Sequence, residues 1–257
     1  MPPKAIRLGI LVPSSNTALE PLTTSILAAF NASRPSEPPI TAHFSRFPVT
    51  EISLAPSALA QFNLAPILAA ATLLAHAHVD IIGWSGTSAG WLGFEKDVEL
   101  CNAIEQETGI PATTSVLALN KALEMWNVER LGLVTPYMDD VQAKIVENYK
   151  KIGVEVTAEK HLRVQRNNDI ADISEEWLDE LVEDVKGKGV QAVTTFCTNL
   201  VAAQRVKYWE YKDRIPVFDT VTTVIWDMLY RVVEDARGTE EWGMIFEKES
   251  PPWLPSI

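Results

Sequence analysis

The sequence predicts an α/β fold of two pseudo-symmetric lobes, each a parallel sheet flanked by helices, with the active site in the cleft between them. Three observations carry this expectation. Short apolar runs rich in β-branched residues alternate with longer helical segments, as parallel βαβ units require. The second half of the chain restates the plan of the first. The 257 residues are 47% hydrophobic and 22% charged, which suits a buried core and excludes a disordered or coiled-coil chain.

Residues 6–12 (IRLGILV) form a strand that the turn Pro13-Ser14-Ser15-Asn16-Thr17 closes. Helical signals follow over 19–30, residues 31–39 are a proline-bearing loop, and 40–47 is a strand. The alanine- and leucine-rich stretch 57–78 predicts one long helix. A strand is expected at 79–84, an amphipathic helix at 95–108, a strand at 110–114 and a helix at 116–126.

Then the plan repeats. Arg7-Leu8-Gly9-Ile10-Leu11-Val12-Pro13 is echoed by Arg130-Leu131-Gly132-Leu133-Val134-Thr135-Pro136, in both cases a strand running into a proline turn. Residues 79–88 (VDIIGWSGTS) are echoed by 190–199 (VQAVTTFCTN), which sets Gly86 opposite Cys197. Ile110-Pro111 and Ile215-Pro216 form a third pair. The first lobe is accordingly assigned residues 1–116 together with a C-terminal helix from about 221 to 257, and the second residues 117–220. Trp242 and Trp253, in the tail from 238 to 257, pack either on a neighbouring surface, as in a homo-oligomer, or back on their own lobe.

Ligands of open parallel sheets bind beyond the carboxyl ends of the strands. The loops there are 13–17, 86–88, 136–140 and 197–199, and they are expected to converge. Turn geometry alone explains Ser, Thr, Asn and Gly in any one loop. Four such loops at repeated positions point to a site.

Composition and missing motifs narrow its chemistry. The 22 Lys+Arg against 34 Asp+Glu leave a net charge of 22 − 34 = −12, which disfavours nucleic acid as a partner. Cys101 and Cys197 are the two cysteines, too few for a disulfide scaffold. No signal peptide and no long uninterrupted apolar run is read, so a cytoplasmic protein without membrane contact is expected. His43, His76, His78 and His161 have no zinc-like spacing, and Gly83-Trp84-Ser85-Gly86-Thr87 departs from G-x-S-x-G at its last position. Dinucleotide and P-loop fingerprints are missing too. The remaining chemistry is carboxylate binding without a cofactor, since hydroxyls, an amide and loop N–H groups can hold an anion and the charge that develops on it.

The run Pro13-Ser14-Ser15-Asn16-Thr17-Ala18-Leu19-Glu20 resembles the P-S-S-N-T-x-x-E signature of maleate cis-trans isomerases. The segments Gly86-Thr87-Ser88, residues 135–141 (TPYMDDV) and Cys197 are similar to the active-site segments of arylmalonate decarboxylases. Both families lie in the aspartate/glutamate racemase superfamily, whose two-lobed fold agrees with the repeat. The resemblance covers roughly residues 6 to 230. Racemases and maleate isomerases of this superfamily present one cysteine from each lobe; here Gly86 takes the first position, as in the decarboxylases.

The resemblance implies a cofactor-independent enzyme in which a malonate-type diacid loses carbon dioxide. Thr87, Ser88 and Tyr137 would stabilise the enediolate, and Cys197 would protonate it. Ser14, Asn16, Gly86, Thr198 and Asn199 would line the substrate site. A maleate isomerase or a racemase of amino or hydroxy acids is the alternative, because Asn16 stands where the decarboxylases carry an apolar stretch. A third reading is a carboxylate-binding protein without catalysis. Cys101, inside the helix expected at 95–108, reads as a packed small hydrophobe.

Overall fold

In the computed structural model, residues 4–233 and 235–247 are described, and their strands form two separate four-stranded parallel sheets. The first holds β1 (Ile6–Pro13), β2 (Ile40–Phe47), β3 (Ile81–Trp84) and β4 (Ala112–Thr114), in the order β2-β1-β3-β4. The second holds β5 (Arg130–Thr135), β6 (Glu155–His161), β7 (Ala192–Thr195) and β8 (Val217–Asp219), in the order β6-β5-β7-β8. The two orders match. Central strands β3 and β7 are buried along their whole length, which is why neither alternates: β3 is apolar throughout, and β7 is built of small and β-branched residues.

Helices flank both sheets: α1 (Leu19–Ser33), α2 (Pro56–Leu59), α3 (Leu64–His76), α4 (Ala89–Leu92), α5 (Glu95–Thr108) and α6 (Ser115–Met125) in the first half, then α7 (Asp139–Lys151), α8 (Asn167–Ile170), α9 (Glu175–Lys186), α10 (Val206–Asp213) and α11 (Thr220–Val232). Helices α6 and α11 each follow the last strand of a sheet and pack against each other. Both are capped from that strand: the Thr114 hydroxyl accepts from Leu117 N, and the Asp219 carboxylate from Val221 N and Thr222 N. Helix α11 comes after β8 yet lies on the first sheet, where a Cβ added to Gly83 would collide with Met228 Sδ and stand 3.1 Å from Val224 Cγ2. The chain's last long helix thus covers its first lobe.

One expectation needs correction. Residues 57–78 do not form a single helix but break at Asn63, whose backbone is extended (φ −62°, ψ 143°). Pro66 is the reason: inside a helix it would lack an N–H and clash with the preceding turn, whereas after a break it falls in the first turn of α3, where no N–H bond is needed. At 13 residues α3 is about 20 Å long, short of a ~30 Å hydrocarbon layer although its composition is apolar enough. The strands β3 and β4 also begin two residues later than expected, and the turn α4, inside the expected loop region, was not foreseen. In the tail, Trp242 folds back against the core of its own chain. Trp253 and the rest of 248–257 lie outside the described residues.

Candidate active site

The strand register fixes which residues of the two lobes correspond. Trp84 pairs with Leu11 as Thr195 pairs with Val134, and the chain continues identically: Ser85 N donates to Leu11 O (3.2 Å) and Phe196 N to Val134 O (2.8 Å). Gly86 and Cys197 therefore occupy equivalent positions just past the carboxyl ends of β3 and β7.

The four expected loops meet there, tied by hydrogen bonds between lobes. Thr87 Oγ1 and Tyr137 Oη are 2.6 Å apart, joining the loop after β3 to the loop after β5. Asn16 Nδ2 donates to Thr198 Oγ1 (3.2 Å), which donates to Ser85 O (3.2 Å). Asn199 Oδ1 accepts from Thr17 N (3.0 Å) and Ala18 N (3.2 Å). Asn16, Thr87, Ser88, Tyr137, Cys197, Thr198 and Asn199 are all buried. Ser14 is not among them: it is exposed, and its hydroxyl accepts from Val49 N (3.1 Å) and donates to Val49 O (3.3 Å), bracing the loop from outside.

Much of this polar cluster is already engaged by the protein. Asn16 Oδ1 accepts from Ala18 N and Leu19 N, capping the entry to α1, and Asn199 Nδ2 donates to Asn167 O. A carboxamide nitrogen has two hydrogens, so Asn16 and Asn199 each keep one N–H for a ligand. The Thr198 hydroxyl donates its single hydrogen to the Ser85 carbonyl oxygen and can only accept further bonds.

Cys197 is 4% exposed, and Asn199 N donates to its sulfur at 3.5 Å. Burial pushes its thiol up to about 11, with the Tyr137 hydroxyl and the Asn199 and Leu200 amides pulling in the opposite direction. Burial and the adjacent Cys197 hold Tyr137 well above the ordinary phenol range. At neutral pH the site thus contains a protonated thiol beside a protonated phenol that is hydrogen-bonded to a threonine. Such a group is fitted to donate a proton and poorly fitted to attack as a thiolate. Cys101 lies in α5, buried, its thiol pushed up to about 12 by burial and the nearby Asp97.

Position 86 is closed in a way the sequence did not reveal. A Cβ added to Gly86 would sit 2.5 Å from Trp84 Cε2 and closer still to Cζ2. The indole of Trp84 fills the space a side chain at 86 would use, so Gly86→Cys alone cannot set a thiol opposite Cys197 without displacing the ring.

Several supporting residues were also not anticipated. Asn167, buried at the start of α8, donates from Nδ2 to Ser15 Oγ (2.9 Å). Extending the carboxyl-end rule to the loops after β2 and β6, which pair through the Glu51–Arg166 bridge, would have found it. Arg46 donates to the carbonyls of Ser14 (2.9 Å) and Asn16 (3.0 Å) and is held by Glu20 at 2.8 Å, which gives the glutamate of the P-S-S-N-T-x-x-E run a structural purpose. Trp91 packs edge-on against Tyr137 (5.3 Å between centroids) and is itself backed by Phe62 (5.9 Å). Among the described residues no three His, Cys, Asp or Glu side chains are grouped as metal ligands.

The family model described as arylmalonate decarboxylase matches residues 42–246. A maleate isomerase of Pseudomonas putida is 28% identical over 232 residues, which cover 87% of this chain and 90% of that protein. Among solved structures, a maleate isomerase of Pseudomonas putida S16 superposes with a TM-score of 0.83 at 23% identity, covering 95% of this chain and 98% of that one. Arylmalonate decarboxylase superposes with a TM-score of 0.72 at 18% identity, covering 95% and 100%. These likenesses agree with the two-lobed fold of the aspartate/glutamate racemase superfamily.

Proposed function

Because the chain belongs to the arylmalonate decarboxylase family, we propose that it decarboxylates a malonate-type diacid through an enediolate that Cys197 protonates. The observation that carries this reading is the pairing of a buried, protonated thiol in one lobe with a glycine at the equivalent position in the other. A single thiol can deliver one proton to one face. It cannot take a proton from one face and return it to the other.

The steps balance with this chain's own groups. The bond from Cα to the departing carboxylate breaks, its electron pair passes into the remaining carboxylate to give the enediolate, and carbon dioxide leaves. In this reading Thr87, Ser88 and Tyr137 stabilise the enediolate oxygens; a preorganised donor of this kind contributes ~3 kcal/mol. The Cys197 thiol then gives its proton to Cα and is reprotonated by water, so one proton is consumed per turnover. The Tyr137 hydroxyl beside the sulfur stabilises the transient thiolate.

A second reading, isomerisation of maleate or a similar dicarboxylate, draws support from the curated relatives and from the amide cluster of Asn16, Asn167 and Asn199, which suits a second carboxylate better than an apolar pocket does. Incubation with substituted malonates, maleate and amino acids in deuterated water separates the readings. Carbon dioxide release with one deuterium at Cα is expected. Maleate conversion to fumarate, with no carbon dioxide from any malonate, would replace the first reading by the second.

A further inference from the structure

The volume where a first-lobe thiol would stand is taken by the indole of Trp84, which is 1% exposed. The ring atoms nearest the Cβ direction of Gly86 are Cζ2, Cε2 and Cη2, and Cε2 is bonded to the indole nitrogen. Trp84 Nε1 is buried and has no hydrogen-bond partner. Leaving such a donor unpaired is costly, and an unpaired donor at a strand's carboxyl end, beside the loop that meets Cys197, is a place for a ligand acceptor. The ring is fixed from behind by Phe47, with centroids 4.9 Å apart, so the N–H is held by packing and not by a bond of its own.

We propose that Trp84 is a specificity-determining residue that meets the substrate on the face opposite Cys197, its indole N–H donating to a carboxylate oxygen of a small dicarboxylate. This inference rests on the carboxylate-binding reading of the cleft and adds to it a donor that cannot titrate. A thiol at this position could exchange protons with Cα; an indole N–H can bind an anion but cannot abstract a proton. The second face of the substrate is thereby gripped without being made reactive. Trp84 also sets a size limit, since any substituent pointing at Gly86 meets a flat, fixed ring.

The test uses the full chain labelled with nitrogen-15 at its tryptophan indoles. The resonance missing from Trp84→Phe identifies Trp84, and malonate and maleate are the probes, with calorimetry measuring binding independently. The Trp84 indole resonance is expected to shift on saturation with the bound probe. Trp84→Phe, and benzothienylalanine at the same position, which keeps the ring shape and removes the N–H, should each weaken binding by about tenfold. If a probe binds while the resonance stays fixed and both replacements bind equally well, the inference is wrong and the proposed reaction is untouched. If the resonance shifts and affinity falls but nothing is turned over, Trp84 stands and the reaction assignment falls. If neither malonate nor maleate binds, both are overturned.

Discussion

Two strand ends, built on the same register, finish in opposite ways. At the end of β7 a small Thr195 turns its hydroxyl to Asp219 (2.8 Å) and leaves room two residues later for Cys197. At the end of β3 the equivalent Trp84 reaches over Gly86 and leaves no room for a side chain there. One lobe puts its bulk two residues before a glycine, and the other puts a small residue two before a thiol. A repeated scaffold thus carries a thiol on one side only, and the two first-lobe residues fit each other: the glycine makes way for the indole, and the indole fills what the glycine leaves.

The strongest way to break this contrast is to remove the reactive side. Cys197→Ala should cost ~10²–10⁴-fold in turnover, the usual range for a general acid, while Cys101→Ala should stay within a few-fold. Equal activity of both variants in a carbon dioxide assay would end the thiol mechanism. Next in size is Tyr137→Phe, which keeps the ring against Trp91 and removes the hydroxyl shared with Thr87 and Cys197. Its turnover should fall by ~10-fold or more with a smaller change in the Michaelis constant, as for a contact that strengthens in the transition state.

The contrast can also be reversed. Gly86→Cys alone overpacks against Trp84 and should lower stability by ~1–3 kcal/mol, read as a lower melting temperature, with product still a single enantiomer. Combined with Trp84→Ala, the same cysteine has space to face Cys197, and the product should racemise. Racemisation by the single variant, without loss of stability, would show that the indole does not hold that space.

Smaller effects follow from titration. With the Cys197 thiol pushed up to about 11, a proton-donor mechanism should show turnover flat across neutral pH and falling only as pH rises toward that value. A rise in rate through the slightly alkaline range would mark a thiolate nucleophile instead. Stability should vary as well: burial raises Asp97 and Glu210 to about 7 and Asp219 to about 6. Each is raised above its unfolded value, so its stabilising contribution is complete below about pH 4, declines as pH rises to about 7, and is constant beyond. Urea midpoints should therefore be higher in mild acid than at neutrality, and Asp97→Asn should flatten part of that slope.

The strands and their repetition were legible because buried parallel strands demand continuous β-branched runs, and the proline turns mark where they end. Gly86 and Cys197 were matched from that repetition alone. The sequence marks Trp84 only as a strand residue, since which way an indole leans at a strand end depends on what packs against it, here Phe47 from another strand. Asn199 illustrates a different limit: an amide in a cleft loop reads as a ligand group, while most of its hydrogen-bonding capacity goes to Thr17, Ala18 and Asn167. Over 57–78 alanine and leucine favour a continuous helix, and the single Pro66 outweighs them by forcing a new helix start after Asn63.

The path of α11 bears on how the protein is made. On the ribosome, a nascent chain that has emerged only as far as Asp219 holds every strand of the first sheet, but the face of β3 at Gly83 still lacks Met228 and Val224. The lobe synthesised first is consequently the one completed last.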